Sequence, residues 1–524
     1  MTQPTLILGN GPCAQAALTE LLDRGARVIL ATREEALNFI PPDAESYTGE
    51  VEWLEQVQLT SCRRSAADGP LILEFSRDGG GLIKQAAEII IAEECPAVPL
   101  FDVYGLAPGK GVLALSAVVE TLEKQGLEGL PWNNGDSVVL LNGGHHESHP
   151  AITRRVLATA LTLQQDHGIQ AYVITGNLKV AGTGVERLVH AARQAGVVIA
   201  RLTGEKPVLA AGHAGTLQVS LPDEVTGDIY RIEARGVVAD EEICPDDYLT
   251  DLAEILQLER DSDGFLQGGN VHRLPSATNR RDVRVAGPSR GVMSPAAQVA
   301  DGHIAAAADG LEPAHPHLGL AEIVQGRCVR CLTCYRLCPY QAINLGDNQR
   351  VFVAEGQCRQ CGICAAECPR GAITLAGLKA GDMAQSLATA AGEDPAAPQV
   401  FVFGCSRSAQ PAAELARCLG RPLPAAVKLV SVPCAGALSR EHIWAAFNQG
   451  ARGVMVLTCH EGNCHSEQGN CLARQRVDQL KTVLAELGVA PQRLAVHTLA
   501  ANMGAECAQW VNRFVAELDS GDEI

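Results

Sequence analysis

Eight cysteines in two matched runs set the chemistry of this chain. Cys328, Cys331, Cys334 and Cys338, followed by Pro339, form C-x2-C-x2-C-x3-C-P; Cys358, Cys361, Cys364 and Cys368, followed by Pro369, repeat it. This is the spacing of bacterial two-cluster ferredoxins, in which the fourth cysteine of each run ligates the cluster of the other. It predicts one [4Fe–4S] cluster on Cys328, Cys331, Cys334 and Cys368, and a second on Cys358, Cys361, Cys364 and Cys338. Paired four-iron clusters pass single electrons. A zinc reading would need only C-x2-C pairs and leaves the third cysteine and the C-P ending of each run without a role.

A second set of thiols follows. Three β-type runs each end at a cysteine: Val400 to Phe403 before Cys405, Val427 to Val432 before Cys434, and Gly453 to Leu457 before Cys459. If these strands are parallel, the cysteines emerge together at the carboxyl edge of one sheet, where open α/β sheets place their sites. Cys464 supplies a fourth thiolate, and four thiolates on loops suit a [2Fe–2S] cluster. The alternative is a group of buried free cysteines, a common core residue. Cys471 is a substitute ligand, Cys418 and Cys507 read as structural, and His460 and His465 are placed beside the sulfurs as hydrogen-bond donors rather than on iron.

The third chemical feature is a glycine turn at the start. The apolar run Thr5 to Leu8 leads into Gly9-Asn-Gly11-Pro-Cys-Ala14, a helical stripe through Ala17, Leu18 and Leu21, and a second apolar run from Val28 to Ala31. That is the β–turn–α–β unit whose G-x-G-x-x-G/A loop admits a dinucleotide pyrophosphate at a helix N-terminus. Gly9, Gly11 and Ala14 are the predicted contacts, and the late strand–glycine turn at Gly287 is a second one. The acidic residue usual after the second strand is replaced by Thr32-Arg33, which leaves NADP open beside FAD, as well as a fold that has lost its nucleotide. The loop from Asn142 to His149 holds three histidines and reads as solvated rather than metal-binding.

The elements that must position these groups are α/β throughout. The chain has 524 residues and 19 cysteines: four before the double motif, eight within it and seven after. The expected domains are a Rossmann-like FAD/NAD(P)-binding region over 1–315 with a nested α/β unit at about 136–203, and an inserted two-cluster ferredoxin domain over 316–378. A linker over 379–399 and a C-terminal α/β [2Fe–2S] domain over 400–524 complete the set. The linker predicts a last domain that assembles independently. A formal net charge of −18 argues against nucleic acid. No apolar run approaches a membrane span, and the N-terminus lacks a secretory signal, so a cytoplasmic chain is expected, docking on any membrane complex only through partners. Thiols in a reducing compartment serve metal rather than disulfides.

Residues 1 to about 380 resemble the flavin-binding A-type subunit of heterodisulfide reductase and its relative, the B-type subunit of the quinone-interacting membrane-bound oxidoreductase. The resemblance rests on the N-terminal fingerprint, the nested unit, the Gly287 turn and the paired cysteine runs, in that order. It implies FAD and electron transfer through the clusters. Three positions depart from the family pattern: Thr32, Ala92-Glu93-Glu94 in place of an A-T-G turn, and Pro288. Residues from about Val400 to Phe514 resemble the delta subunit of methyl-viologen-reducing hydrogenase, on Thr458-Cys-His-Glu-Gly-Asn-Cys-His465, Gly469-Asn470, Arg474 and Arg476. That implies a [2Fe–2S] link to a hydrogenase, dehydrogenase or quinone-linked partner. Ser408 stands where that family has a further cysteine. The two resemblances together imply an oxidoreductase: an electron-transfer subunit of a heterodisulfide-reductase-like complex. A self-contained NAD(P)H-dependent iron–sulfur flavoprotein and an iron–sulfur scaffold with a vacant nucleotide fold are the alternatives.

Overall fold

The computed structural model describes residues 3–37, 48–64, 69–77, 80–109, 111–143, 147–201, 207–212, 215–222, 228–267, 274–280, 282–307, 319–346, 348–354, 357–391 and 400–521. Its N-terminal layer is a five-stranded parallel sheet in the order Val283–Val285, Glu88–Ile91, Thr5–Leu8, Arg27–Ala31, Glu50–Leu54. After their first residues, Thr5 and Glu88, the central strands are wholly apolar because both faces are covered. Helix Pro12–Asp23 lies on one face and packs along helix Pro295–Ala307, with Gly302 against Ala16 and Ala17. A three-stranded antiparallel sheet, Gln58–Arg64, Leu71–Arg77 and Gly80–Ala86, joins the core on the other.

The nested unit is larger than the expected 136–203. Its parallel sheet runs Val198–Arg201, Gln170–Thr175, Ser137–Asn142, Gly236–Ala239, Val112–Ala114, so two of five strands lie outside that range. Both are only three or four residues long, too short to show a period in sequence. An antiparallel sheet of Val208–Ala211, Leu217–Pro222 and Ile229–Ala234 fills the interval.

The C-terminal sheet is four parallel strands in the order Val427–Val432, Val400–Cys405, Gly453–Thr458, Leu494–Thr498. Its inner residues Phe401, Phe403, Val454 and Val456 share one hydrophobic core with Ile343, Val351, Ile373 and Leu375 of the ferredoxin segment. The expected 379–399 linker is in part a helix, Ala380–Ala391, which packs on Arg440–Asn448 and buries Met383 and Leu387 in that same core. The residues 392–399 lie outside the described ones. The ferredoxin segment and the C-terminal sheet therefore pack into one body, and the expected linker is in part a helix within it. Among the described residues no helix is long and apolar enough to cross a membrane.

Candidate metal centres

The two cysteine runs fold as near copies. In each, the residues flanking the second cysteine have positive φ: Arg330 and Leu332 at 54° and 59°, Gln360 and Gly362 at 58° and 80°. Such alternation curls the backbone into a concave nest whose N–H groups face inward, a cradle for a negatively charged centre. Each run ends with the same contact, the Ala342 N–H donating to Cys338 Sγ at 3.4 Å and the Ala372 N–H to Cys368 Sγ at 3.2 Å.

The runs exchange their last cysteines. One pocket is walled by Cys328, Cys331, Cys334 and Cys368, and the other by Cys358, Cys361, Cys364 and Cys338. Among the described residues no three His, Cys, Asp or Glu side chains are gathered tightly enough for a single ion; the sulfurs surround a volume instead. Burial pushes the Cys361 and Cys364 thiols well up and Cys334 to about 11, so thiolates there require a cation to face. The donor sets fit four-iron clusters. The pockets differ in exposure. Cys331 is exposed, with Thr333 Oγ1 3.4 Å from its sulfur holding the thiol below its usual range, whereas in the second set Cys358 and Cys364 are buried and Cys338 and Cys361 half-buried.

Cys405, Cys434, Cys459 and Cys464 are all buried and come together at the carboxyl edge of the C-terminal sheet. Cys405 Sγ lies 3.7 Å from Cys459 Sγ, and the neighbouring Cys434 pushes the Cys464 thiol up to about 12. Gly469, which opens helix Gly469–Glu486, leaves room for them: a Cβ there would overlap Cys434 Sγ and lie 3.5 Å from Cys464 Sγ. Ser408 Oγ is 3.5 Å from Cys459 Sγ. Cys471 stands outside this group, Cys418 is exposed, and Cys507 is a core residue beside Val511. The ring nitrogens of His460 meet Thr498 Oγ1 at 2.9 Å and Met503 Sδ at 3.2 Å rather than a cysteine, which corrects the role expected for that residue.

The N-terminal turn has the backbone of a nucleotide site but not its free space. The Gly9 N–H donates to Ala31 O at 3.0 Å, Gly11 caps helix Pro12–Asp23, and Ala14 is buried in that helix. A Cβ on Gly11 would overlap Glu94 Oε1 and lie 2.7 Å from the Glu94 carboxyl carbon. The chain's own carboxylate thus stands where a pyrophosphate would approach. On the far side, the Gly287 N–H donates to Asp301 Oδ2 at 2.8 Å, and Arg290 Nε holds the same oxygen at 2.6 Å. Gly287 also sits 2.7 Å, by its missing Cβ, from Cys13 Sγ, so its small size serves close packing at a φ of +63°. Arg33 is committed to Asp246 at 2.7 Å, Glu93 at 3.3 Å and the Tyr248 ring. A dinucleotide does not fit this arrangement as it stands. In the nested unit the Gly143 N–H, at the carboxyl end of Ser137–Asn142, likewise donates to buried Asp240 at 2.7 Å. His149 caps helix Pro150–His167, its Nδ1 accepting from the Ala151 N–H, while the other two loop histidines lie outside the described residues.

The methyl-viologen-reducing hydrogenase delta subunit family matches residues 400–520. The iron–sulfur D-type subunit of the F420-non-reducing hydrogenase of Archaeoglobus profundus is 35% identical over 121 residues, which is 23% of this chain and 88% of that relative. The chain belongs to the delta subunit family. Ahead of this delta domain, a 4Fe–4S dicluster domain matches residues 327–373. The A-type subunit of the ferredoxin/F420H2-dependent CoB-CoM heterodisulfide reductase of Methanosarcina acetivorans is 32% identical over 199 residues, 38% of this chain but 25% of that relative. The chain thus spans about a quarter of the heterodisulfide reductase protein it matches. Among solved structures, T. acidophilum thioredoxin reductase aligns with 59% of this chain and 99% of its own, at 17% identity and a TM-score of 0.39.

Sequence reasoning missed how the delta domain meets the ferredoxin segment. Ile363, from the second cysteine run, is buried among the four delta-domain cysteines, and Cys361 of the second pocket packs against the same group. Arg476 donates to Glu367 Oε1 at 2.9 Å and to Gly436 O at 2.7 Å. The Tyr340 hydroxyl lies 3.0 Å from both His465 O and Ser466 Oγ. Asn470 Nδ2 ties down the Cys459 and His460 carbonyls. The only sequence signal was the Gly469-Asn470 to Arg476 stretch, and the carboxylate that Arg476 meets is 109 residues away. On the other side, Tyr335 and Gln357 meet Gln257 and Asp282 of the N-terminal layer.

Proposed function

We propose that the chain is an electron-transfer subunit of a heterodisulfide-reductase-like complex, carrying single electrons between a partner at its delta domain and a second partner at the exposed ferredoxin pocket. Cys405, Cys434, Cys459 and Cys464 would hold a [2Fe–2S] cluster. Cys338, Cys358, Cys361 and Cys364 would hold the inner [4Fe–4S] cluster, and Cys328, Cys331, Cys334 and Cys368 the outer one. When bound, such clusters gain or lose one electron at a time while the protein tunes their potentials through N–H···S bonds and burial.

The observation that carries this reading is the junction at Cys361 and Ile363. A wall of the inner pocket is also a wall of the delta-domain site: Ile363 lines the first and is buried among the cysteines of the second. From the inner pocket the exchanged fourth cysteines lead to the outer one, which opens beside the exposed Arg330 and Arg370. The nucleotide turn is left out of the route because Glu94 occupies it.

The test is metal content and reduction of the full chain prepared without oxygen. It should hold about ten irons, with a reductant-induced [2Fe–2S] signal magnetically distinct from the [4Fe–4S] pair. Near two metals per chain with zinc present would sink the assignment.

A further inference from the structure

We propose that Glu94 is a built-in gate on the nucleotide fold: its carboxylate holds the place of a pyrophosphate in front of Gly11, and a dinucleotide binds only when that side chain is displaced.

The local geometry sets the argument. Strand Glu88–Ile91 runs parallel to Thr5–Leu8 in register, with Ile91 beside Leu8, so the residues following the two strands emerge side by side. The Ala92 N–H donates to Leu8 O at 2.7 Å, which fixes that alignment. Glu94 is two residues further on and projects across the Gly9–Gly11 turn. Its Oε1 fills the approach to Gly11, the surface a phosphate needs in order to reach the amides at the N-terminus of Pro12–Asp23.

The oxygen is not held there by a bond. Glu94 Oε1 is a buried side-chain atom with no hydrogen-bond partner. A buried acceptor left without a donor is destabilising, so the position is one from which the side chain can be moved. The positive end of the twelve-residue helix Pro12–Asp23 is the favourable term that remains, and it is what a phosphate would also use.

The surrounding charge acts in the same direction. Burial first, and then Glu34, raises the cost of a negative charge at Glu94, and Asp301 lies across the turn on the Gly287 N–H. The two nearby cations are already matched, Arg33 to Glu93 and Asp246, and Arg290 to Asp301. Among the described residues, then, an incoming pyrophosphate would meet carboxylates whose neighbouring cations are already engaged. Sequence alone placed Glu94 where a glycine is usual; the structure gives that change a consequence.

The experiment uses the full chain with its clusters, prepared without oxygen, and FAD as the probe. Affinity is read from the loss of flavin fluorescence on titration, and retention from flavin absorbance after desalting. Wild-type protein should retain essentially none. Glu94→Gly, which clears the turn, should bind FAD at least tenfold more tightly and retain it. Glu94→Gln, which keeps the volume and removes the charge, should fall between the two. Unchanged iron content and cluster absorbance in both variants show that the fold persists, and they report on the electron-transfer reading separately from this one. The proposal is overturned if wild-type protein carries stoichiometric flavin, or if Glu94→Gly binds no better than wild type.

Discussion

Arg476 crosses from the delta domain to Glu367 of the second cysteine run, Nε to Oε1 at 2.9 Å, while a second guanidinium nitrogen caps the Gly436 carbonyl. Arg476 is nearly buried and Glu367 a quarter exposed. The pair joins two segments whose hydrophobic cores are already continuous. Removing the cation would leave a carboxylate and a carbonyl facing each other across a packed interface.

Arg476→Ala should therefore destabilise the chain by about 2–4 kcal/mol, measured as a shift in the urea midpoint of the cluster absorbance. By the same reasoning an isolated 400–521 fragment should be poorly folded, because Phe401, Phe403 and Val454 lose the ferredoxin side of their core. Circular dichroism melting of that fragment checks it, and a cooperative melt near that of the full chain would count against the shared core.

Gly469→Ala places a methyl group onto Cys434 Sγ. It should abolish or strongly perturb the [2Fe–2S] signal by electron paramagnetic resonance while the [4Fe–4S] signals persist. Cys464→Ala should remove the same signal, with no rescue by Cys471, which stands outside the sulfur group.

Much of this is legible in the residues alone. The cysteine spacing specifies its own geometry, since C-x2-C-x2-C admits few backbone paths, and the strand-end cysteines need only parallel strands to converge. What cannot be read that way is whatever depends on long-range packing. Ile363 looks like an ordinary apolar residue in a ferredoxin run, and nothing local says that it lies among the sulfurs of Cys405, Cys434, Cys459 and Cys464. Helix Ala380–Ala391 is hidden by an Ala- and Gly-rich composition that reads as linker, because its stability comes from burying Met383 and Leu387 rather than from a strong periodic pattern. Glu94 is visible as a departure, but only the parallel register of Glu88–Ile91 with Thr5–Leu8 directs it at Gly11.

Stability should depend on pH through Glu93 and Glu94. Burial is the main cause that pushes each carboxyl up to about 7, helped at Glu94 by Glu34 and opposed at Glu93 by Arg33. A carboxyl whose folded value lies above its unfolded value of 4.5 binds its proton more tightly when folded. Its stabilising contribution is full below about pH 4.5 and is lost as pH rises through about 7. Glu94→Gln should flatten this part of the profile and stabilise the chain at about pH 8 by about 1–2 kcal/mol, checked by urea midpoints on either side of neutrality.

The outer pocket is lined by Arg330 and Arg370, with no acidic side chain among the described residues of its wall, on a chain of net charge −18. Exchange of electrons with an acidic redox partner at this face should slow with rising ionic strength. Replacing both arginines with glutamate should lower the second-order rate about tenfold or more at low salt, as followed by stopped-flow bleaching of the clusters. Reduction from the delta-domain side should be unaffected.

The exchange of fourth cysteines makes each run depend on the other. Each half of the repeat completes a pocket belonging mainly to its twin, so a mutation at Cys338 injures the neighbour's centre and one at Cys368 returns the injury. Neither pocket keeps four thiols if the last cysteine of the opposite run is lost. A cut between the two runs leaves neither with a full set: each keeps three thiols of its own pocket and a fourth that belongs across the gap.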